Sequence, residues 1–101
     1  MDNIRERDVE SYLKNRVESL GLGYHKFIPD YRNGMPDRLI TLPNRTCVWV
    51  ELKCEHGTLS GLQLLRHKEL RDQGQQVAVV WNKEQADKLV ASLSEDVMGR
   101  A

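Results

Sequence analysis

Apolar residues Val9, Leu13, Val17 and Leu20 recur every three or four positions, the spacing of one buried helical stripe, and Gly21 and Gly23 follow as stop signals. The pattern predicts a helix over residues 4–20. Tyr24 to Ile28 reads as a short strand closed by Pro29, and Asp30-Tyr31-Arg32-Asn33-Gly34 has the composition of a turn. Residues 37–42 and 46–53 form two further strands joined by Pro43-Asn44-Arg45, the second rich in β-formers at Val48, Trp49 and Val50. Glu55 to Thr58 is a loop, and residues 60–73 carry a helical pattern stopped by Gly74. Gln76 to Trp81 is a nearly continuous apolar run, as expected of a strand covered on both faces. A last helix is expected over residues 84–93, with the final eight residues loose. The order α-β-β-β-α-β-α is a meander feeding a helix that crosses to a further strand. It predicts an α/β fold with a mixed sheet flanked by helices.

At 101 residues the chain is expected to be one domain, 1–101, with 40% apolar residues and no low-complexity tract. No apolar run approaches the roughly 20 residues that span a bilayer. The charged start, Met1-Asp2-Asn3-Ile4-Arg5-Glu6-Arg7, has no apolar signal core. The expected compartment is therefore cytoplasm or nucleoid, which includes the cytoplasm of a phage-infected host. Fifteen basic and fifteen acidic side chains cancel, which argues against a polycation that coats nucleic acid and leaves room for a local basic rim. Cys47 and Cys54 lack zinc-type spacing and would point to opposite faces of one strand, so two reduced, half-buried thiols are expected.

The chemistry concentrates in Gly34-Met35-Pro36-Asp37-Arg38 and in Val50-Glu51-Leu52-Lys53. Alternation puts Cys47, Trp49, Glu51 and Lys53 on one face of their strand, and the hairpin brings Asp37 opposite the Glu51–Lys53 region. Two carboxylates about 4 Å apart repel by roughly 4 kcal/mol at an effective dielectric near 20. A divalent cation removes that penalty, since Mg²⁺ favours one or two carboxylates with water and phosphate oxygens. With Lys53 to orient water and offset charge on the phosphate, the parts suit in-line hydrolysis of a phosphodiester. A Glu and a Lys two apart on a strand are often only a solvated face, but the Val48, Trp49 and Val50 neighbours argue for partial burial.

The first helix adds acids where apolar residues belong. Glu6 and Glu10 both fall inside its core-facing stripe, and Glu10, the deeper, is the choice for a third metal-side carboxylate. Ser60-Gly61-Leu62-Gln63 fits a capping box, and Gln63 could equally lie near the metal water. His25, His56 and His67 show no metal-ligand pattern and receive no role; Trp81 is either core or interface material.

With these residues assembled, the chain resembles a PD-(D/E)xK phosphodiesterase, and within that superfamily the small stand-alone VRR-NUC domains. The resemblance runs from about residue 6 to residue 90. It rests on Glu10, Lys26-Phe27, Gly34-Met35-Pro36-Asp37-Arg38-Leu39, Val50-Glu51-Leu52-Lys53, Gly57-x-Leu59-x-x-x-Gln63, Leu70-Arg71-x-x-Gly74 and the apolar strand before Trp81. It implies a restriction-endonuclease-like fold, Asp37 and Glu51 as metal ligands, Lys53 as catalytic and Glu10 completing the site. It also implies Gln63 beside the site and Mg²⁺ or Mn²⁺ as cofactor. Stand-alone members are associated with homodimers acting on branched DNA, including four-way junctions. The expected activity is thus structure-selective endonuclease cleavage of branched double-stranded DNA, as a homodimeric Holliday-junction resolvase. The alternatives are a flap or branch nuclease and a non-catalytic DNA-binding module of the same fold. Lys26, Arg32 and Arg38 are the expected DNA contacts, in a basic rim that also draws on Arg45, Arg66, Lys68 and Arg71.

Overall fold

The computed structural model describes residues 5–28, 33–43, 46–54 and 56–99. Helix α1 spans Glu6–Ser19 and buries Val9, Leu13 and Val17, the stripe seen in the sequence. It ends because Gly21 takes a φ of 78°, which lets the Gly21 and Leu22 amides bond back to the Glu18 and Val17 carbonyls. Helix α2, Gly61–Asp72, closes the same way: Gly74 has a φ of 81°, and the Gly74 and Gln75 amides return to Arg71 and Leu70. Each is a Schellman closure, which a glycine at that position makes without a Cβ penalty.

Strands β1 (Gly23–Lys26), β2 (Arg38–Thr41), β3 (Cys47–Leu52) and β4 (Gln76–Val80) form one sheet in the order β1-β2-β3-β4. The first three pair antiparallel and β4 joins β3 in parallel, after the α2 crossover. Helix α3, Lys83–Gly99, starts on Asn82, whose side-chain oxygen accepts the Gln85 amide at 2.8 Å. The expected helix over 84–93 was too short. Ala86, Val90 and Leu93 are buried and Val97 packs on the same core, so the apolar spacing carries the helix through the segment expected to be loose. Among the described residues no helix is long and apolar enough to cross a membrane.

The two faces of the sheet differ. Helices α1 and α3 pack together over one face, where Ile40, Val48, Val50, Leu52 and Val80 join Val9, Leu13, Val17, Val90 and Leu93 in the core. Tyr12 Oη donates to Asp87 Oδ1 at 2.7 Å and ties the two helices at their rim. Helix α2 packs against β4 on the other face, so β4 lies between helices although it is an edge strand. Cys47 is partly buried, but Cys54 lies beyond the end of β3 and is exposed, against the expectation of two half-buried thiols; both are free. Trp81 is partly buried and its indole N–H donates to the Gly57 carbonyl at 3.1 Å, which favours the packing role over the interface role.

Candidate active site

The β2–β3 register sets the site. Arg38 pairs with Val50, so one step further the antiparallel ladder brings Asp37 opposite Glu51. Pro36 is fully buried ahead of Asp37, and the Asp37 carbonyl accepts the Phe27 amide at 3.1 Å, extending the β1–β2 pairing to this point. Gly34 has a φ of 85°, and a Cβ there would stand 2.9 Å from the Leu62 carbonyl carbon and oxygen. Glycine is therefore required where the segment leading to Asp37 crosses the first turn of α2. On the other side, the Lys53 amide bonds to the Val80 carbonyl at 3.0 Å and continues the β3–β4 pairing past Leu52. Alternation then keeps Lys53 on the Glu51 face.

Glu51 is 7% exposed. Burial pushes its carboxyl above the ordinary glutamate range, the nearby Asp37 charge adds to that, and His67 and Lys53 pull the other way. Its Oε1 lies 3.2 Å from His67 Nε2, and its Oε2 accepts from Gln63 Nε2 at 3.4 Å. Gln63 takes up the capping role and also lies beside Glu51. Its backbone amide donates to Ser60 Oγ and its Oε1 accepts the Ser60 amide, completing the capping box, while its Nε2 reaches Glu51.

Glu10 is partly buried and Glu6 exposed, so the deeper acid is the one that turns inward. Glu10, expected as a third carboxylate beside the ion, meets Arg38. Arg38 Nε donates to Glu10 Oε2 at 2.5 Å, Arg38 Nη2 to Oε1 at 3.0 Å, and Tyr24 Oη to Oε2 at 3.2 Å. Arg38 Nη1 donates to Asp37 Oδ1, so one guanidinium joins the two carboxylates. The Arg38 hydrogen bonds hold the Glu10 carboxyl below its ordinary range, and Glu10 in turn raises Arg38. Burial and the Glu10 charge push the Tyr24 phenol upward.

This placement corrects the expectation that Arg38 lies in a DNA-facing rim. It is 9% exposed, on the α1 face with Val50, and its donors are taken by carboxylates. Three cations of α2 are likewise engaged within the chain: Arg66 with the Asn33 carbonyl and Glu69, Lys68 with Asp72, Arg71 with the Val77 carbonyl. Lys26 is exposed at the end of β1; Arg32 and Arg45 lie outside the described residues. Among the described residues no three carboxylate, imidazole or thiolate groups converge closely enough to hold an ion by themselves. The site thus offers the pair Asp37 and Glu51, with Lys53 and Gln63 beside Glu51. His67, which the sequence reading passed over, belongs with them. Its signal was position: Gln63, His67 and Leu70 follow i, i+4, i+7 and form the inward stripe of α2.

No family model matches the chain. It is 38% identical over 77 residues to the protein named "Putative nuclease p44" of Acyrthosiphon pisum secondary endosymbiont phage 1, a match covering 76% of this chain and 83% of that protein. Its structure matches a solved VRR_NUC domain with a TM-score of 0.74 at 36% identity, covering 85% of this chain and 94% of the other. With more than a third of aligned positions identical over most of each protein and the fold held in common, this chain belongs to the VRR-NUC family of nucleases, on the restriction-endonuclease-like fold.

Proposed function

We propose that the protein is an Mg²⁺- or Mn²⁺-dependent endodeoxyribonuclease that hydrolyses phosphodiesters in branched double-stranded DNA, acting as a homodimeric Holliday-junction resolvase. The observation that carries the metal reading is the buried Glu51 carboxyl set beside Asp37 and raised by burial and by that neighbour. A donor set of two carboxylates suits Mg²⁺, which takes one or two and fills the rest of its shell with water and phosphate oxygens. Asp37 and Glu51 would hold the ion, and when bound it supplies Lewis-acid polarisation of the phosphate and acidifies a water.

The chain's own residues do the rest. Lys53, on the Glu51 face, offsets charge developing on the phosphate and orients the attacking water. Gln63 steadies Glu51 from the capped first turn of α2. Glu10 enters the site through Arg38, fixing the guanidinium that holds Asp37. Lys26 stands as a phosphate contact from the exposed end of β1. Paired, symmetric cuts across a four-way junction need two sites related by a two-fold axis, and a second copy of the chain supplies the other.

The test is cleavage of a synthetic four-way junction beside matched flap and linear duplexes in Mg²⁺ or Mn²⁺, with the native protein and Glu51→Gln. Paired symmetric cuts in the junction, absent in the variant, are expected, together with a dimer by sedimentation velocity. Cleavage confined to the flap would transfer the reading to a flap nuclease. Binding without cleavage in either metal would favour a non-catalytic module.

A further inference from the structure

We propose that His67 is a positioning residue for Glu51: it fixes one carboxylate oxygen and thereby presents the other to the cation. The inference rests on the metal reading above. His67 is 1% exposed, too deep to meet substrate, so any effect on the reaction must pass through what it touches. What it touches is Glu51 Oε1, at 3.2 Å from Nε2. Among the described residues Glu51 Oε2 has the longer 3.4 Å contact from Gln63, so the two oxygens are held unequally.

The tautomer follows from the burial of the ring. His67 Nδ1 is buried with no hydrogen-bond partner among the described residues. A buried N–H with nothing to donate to costs more than a bare ring acceptor, which places the donor on Nε2, facing Glu51. The imidazole is confined by its own burial, on the inward stripe of α2 beside buried Leu70. Asp37 is treated alike, with one oxygen held by Arg38. Each member of the carboxylate pair thus has one oxygen restrained from within the chain. Such outer partners typically govern ligand affinity by tenfold or more.

The experiment compares the native protein with His67→Gln, His67→Leu, His67→Asn and Glu51→Gln, using Mn²⁺ as the probe. Affinity is read by calorimetry and by electron paramagnetic resonance, after thermal melts confirm folding. Glutamine returns an N–H donor at similar reach, whereas leucine fills the volume without one. His67→Leu should weaken Mn²⁺ binding about tenfold to a hundredfold and raise the Mn²⁺ concentration needed for half-maximal cleavage, while His67→Gln stays near native. Native affinity in His67→Leu, alongside lost binding in Glu51→Gln, would overturn the role of His67 and leave the metal reading intact. If the native protein binds no Mn²⁺, or Glu51→Gln binds it equally well, the metal reading falls and takes this inference with it. Should the leucine variant fail to fold, the asparagine variant decides, since its amide is too short to reach Glu51. Equal affinity of His67→Asn and His67→Gln would overturn the proposal.

Discussion

Glu51 and Glu10 are driven in opposite directions by their surroundings, and the two shifts have opposite consequences for stability. Burial raises the Glu51 carboxyl above the ordinary 4.5, so the fold is favoured while Glu51 is protonated and loses that contribution as pH rises through the raised value. Arg38 lowers Glu10, whose contribution is complete above the ordinary value and is lost as pH falls through the depressed one. Glu51→Gln should therefore stabilise the metal-free protein at neutral pH by about 1 kcal/mol, or about 4 °C in Tm, while abolishing cleavage. The glutamine oxygen can still accept the His67 Nε2 proton, and its NH₂ replaces the oxygen that Gln63 reaches only at 3.4 Å. Melts in chelator from pH 4 to 8 check this; the gap between variant and native protein should widen as pH rises. Asp37, Glu51 and Lys53 were legible because strand alternation and a short hairpin fix faces and neighbours. Arg38 and His67 were not. A cation beside a conspicuous Asp reads as surface, and an isolated histidine carries no partner in the sequence.

At the scale of elements, α2 shows why periodicity alone misleads. Its apolar residues Leu64 and Leu65 are exposed, while polar Gln63 and His67 turn inward, because this helix packs on the face that carries the site. The sequence located its ends, through Ser60 and Gly74, and could not give its rotation. For α3 the reverse holds: the stripe was visible, and Val97 continues it beyond the assigned end. The contact between α2 and the segment before Asp37 depends on Gly34. Gly34→Ala should cost about 1–2 kcal/mol in denaturant melts, from the positive φ and the lost approach to Leu62. Its cleavage rate at saturating Mn²⁺ should fall as well, because Asp37 follows directly on the displaced segment. Native stability in that variant would show that the close approach is dispensable.

The whole molecule places two helices over one face of the sheet and one over the other, and the Asp37–Glu51 pair lies on the less covered side. Bringing those carboxylates together stores repulsion that a bound cation relieves, so Mn²⁺ should raise Tm; at a hundred times its Kd the gain is about 2.7 kcal/mol. Chelator should reverse the shift and Glu51→Gln should lack it. The element order and the mixed sheet were readable from the sequence, since each strand and helix carries its own punctuation. A surface for the proposed second copy was not, because exposed leucines look the same whether they face solvent or a partner. Inner strand β3 binds fold and chemistry together: Val48, Val50 and Leu52 point into the core, and Trp49 and Glu51 point to the opposite face, where Glu51 meets His67. Point changes can spoil one set and spare the other. Inserting or deleting a single residue between Cys47 and Lys53 would exchange the two sets at once. Natural lineages can therefore drift in composition along β3 but not in length, and gaps among descendants must fall in the loops on either side.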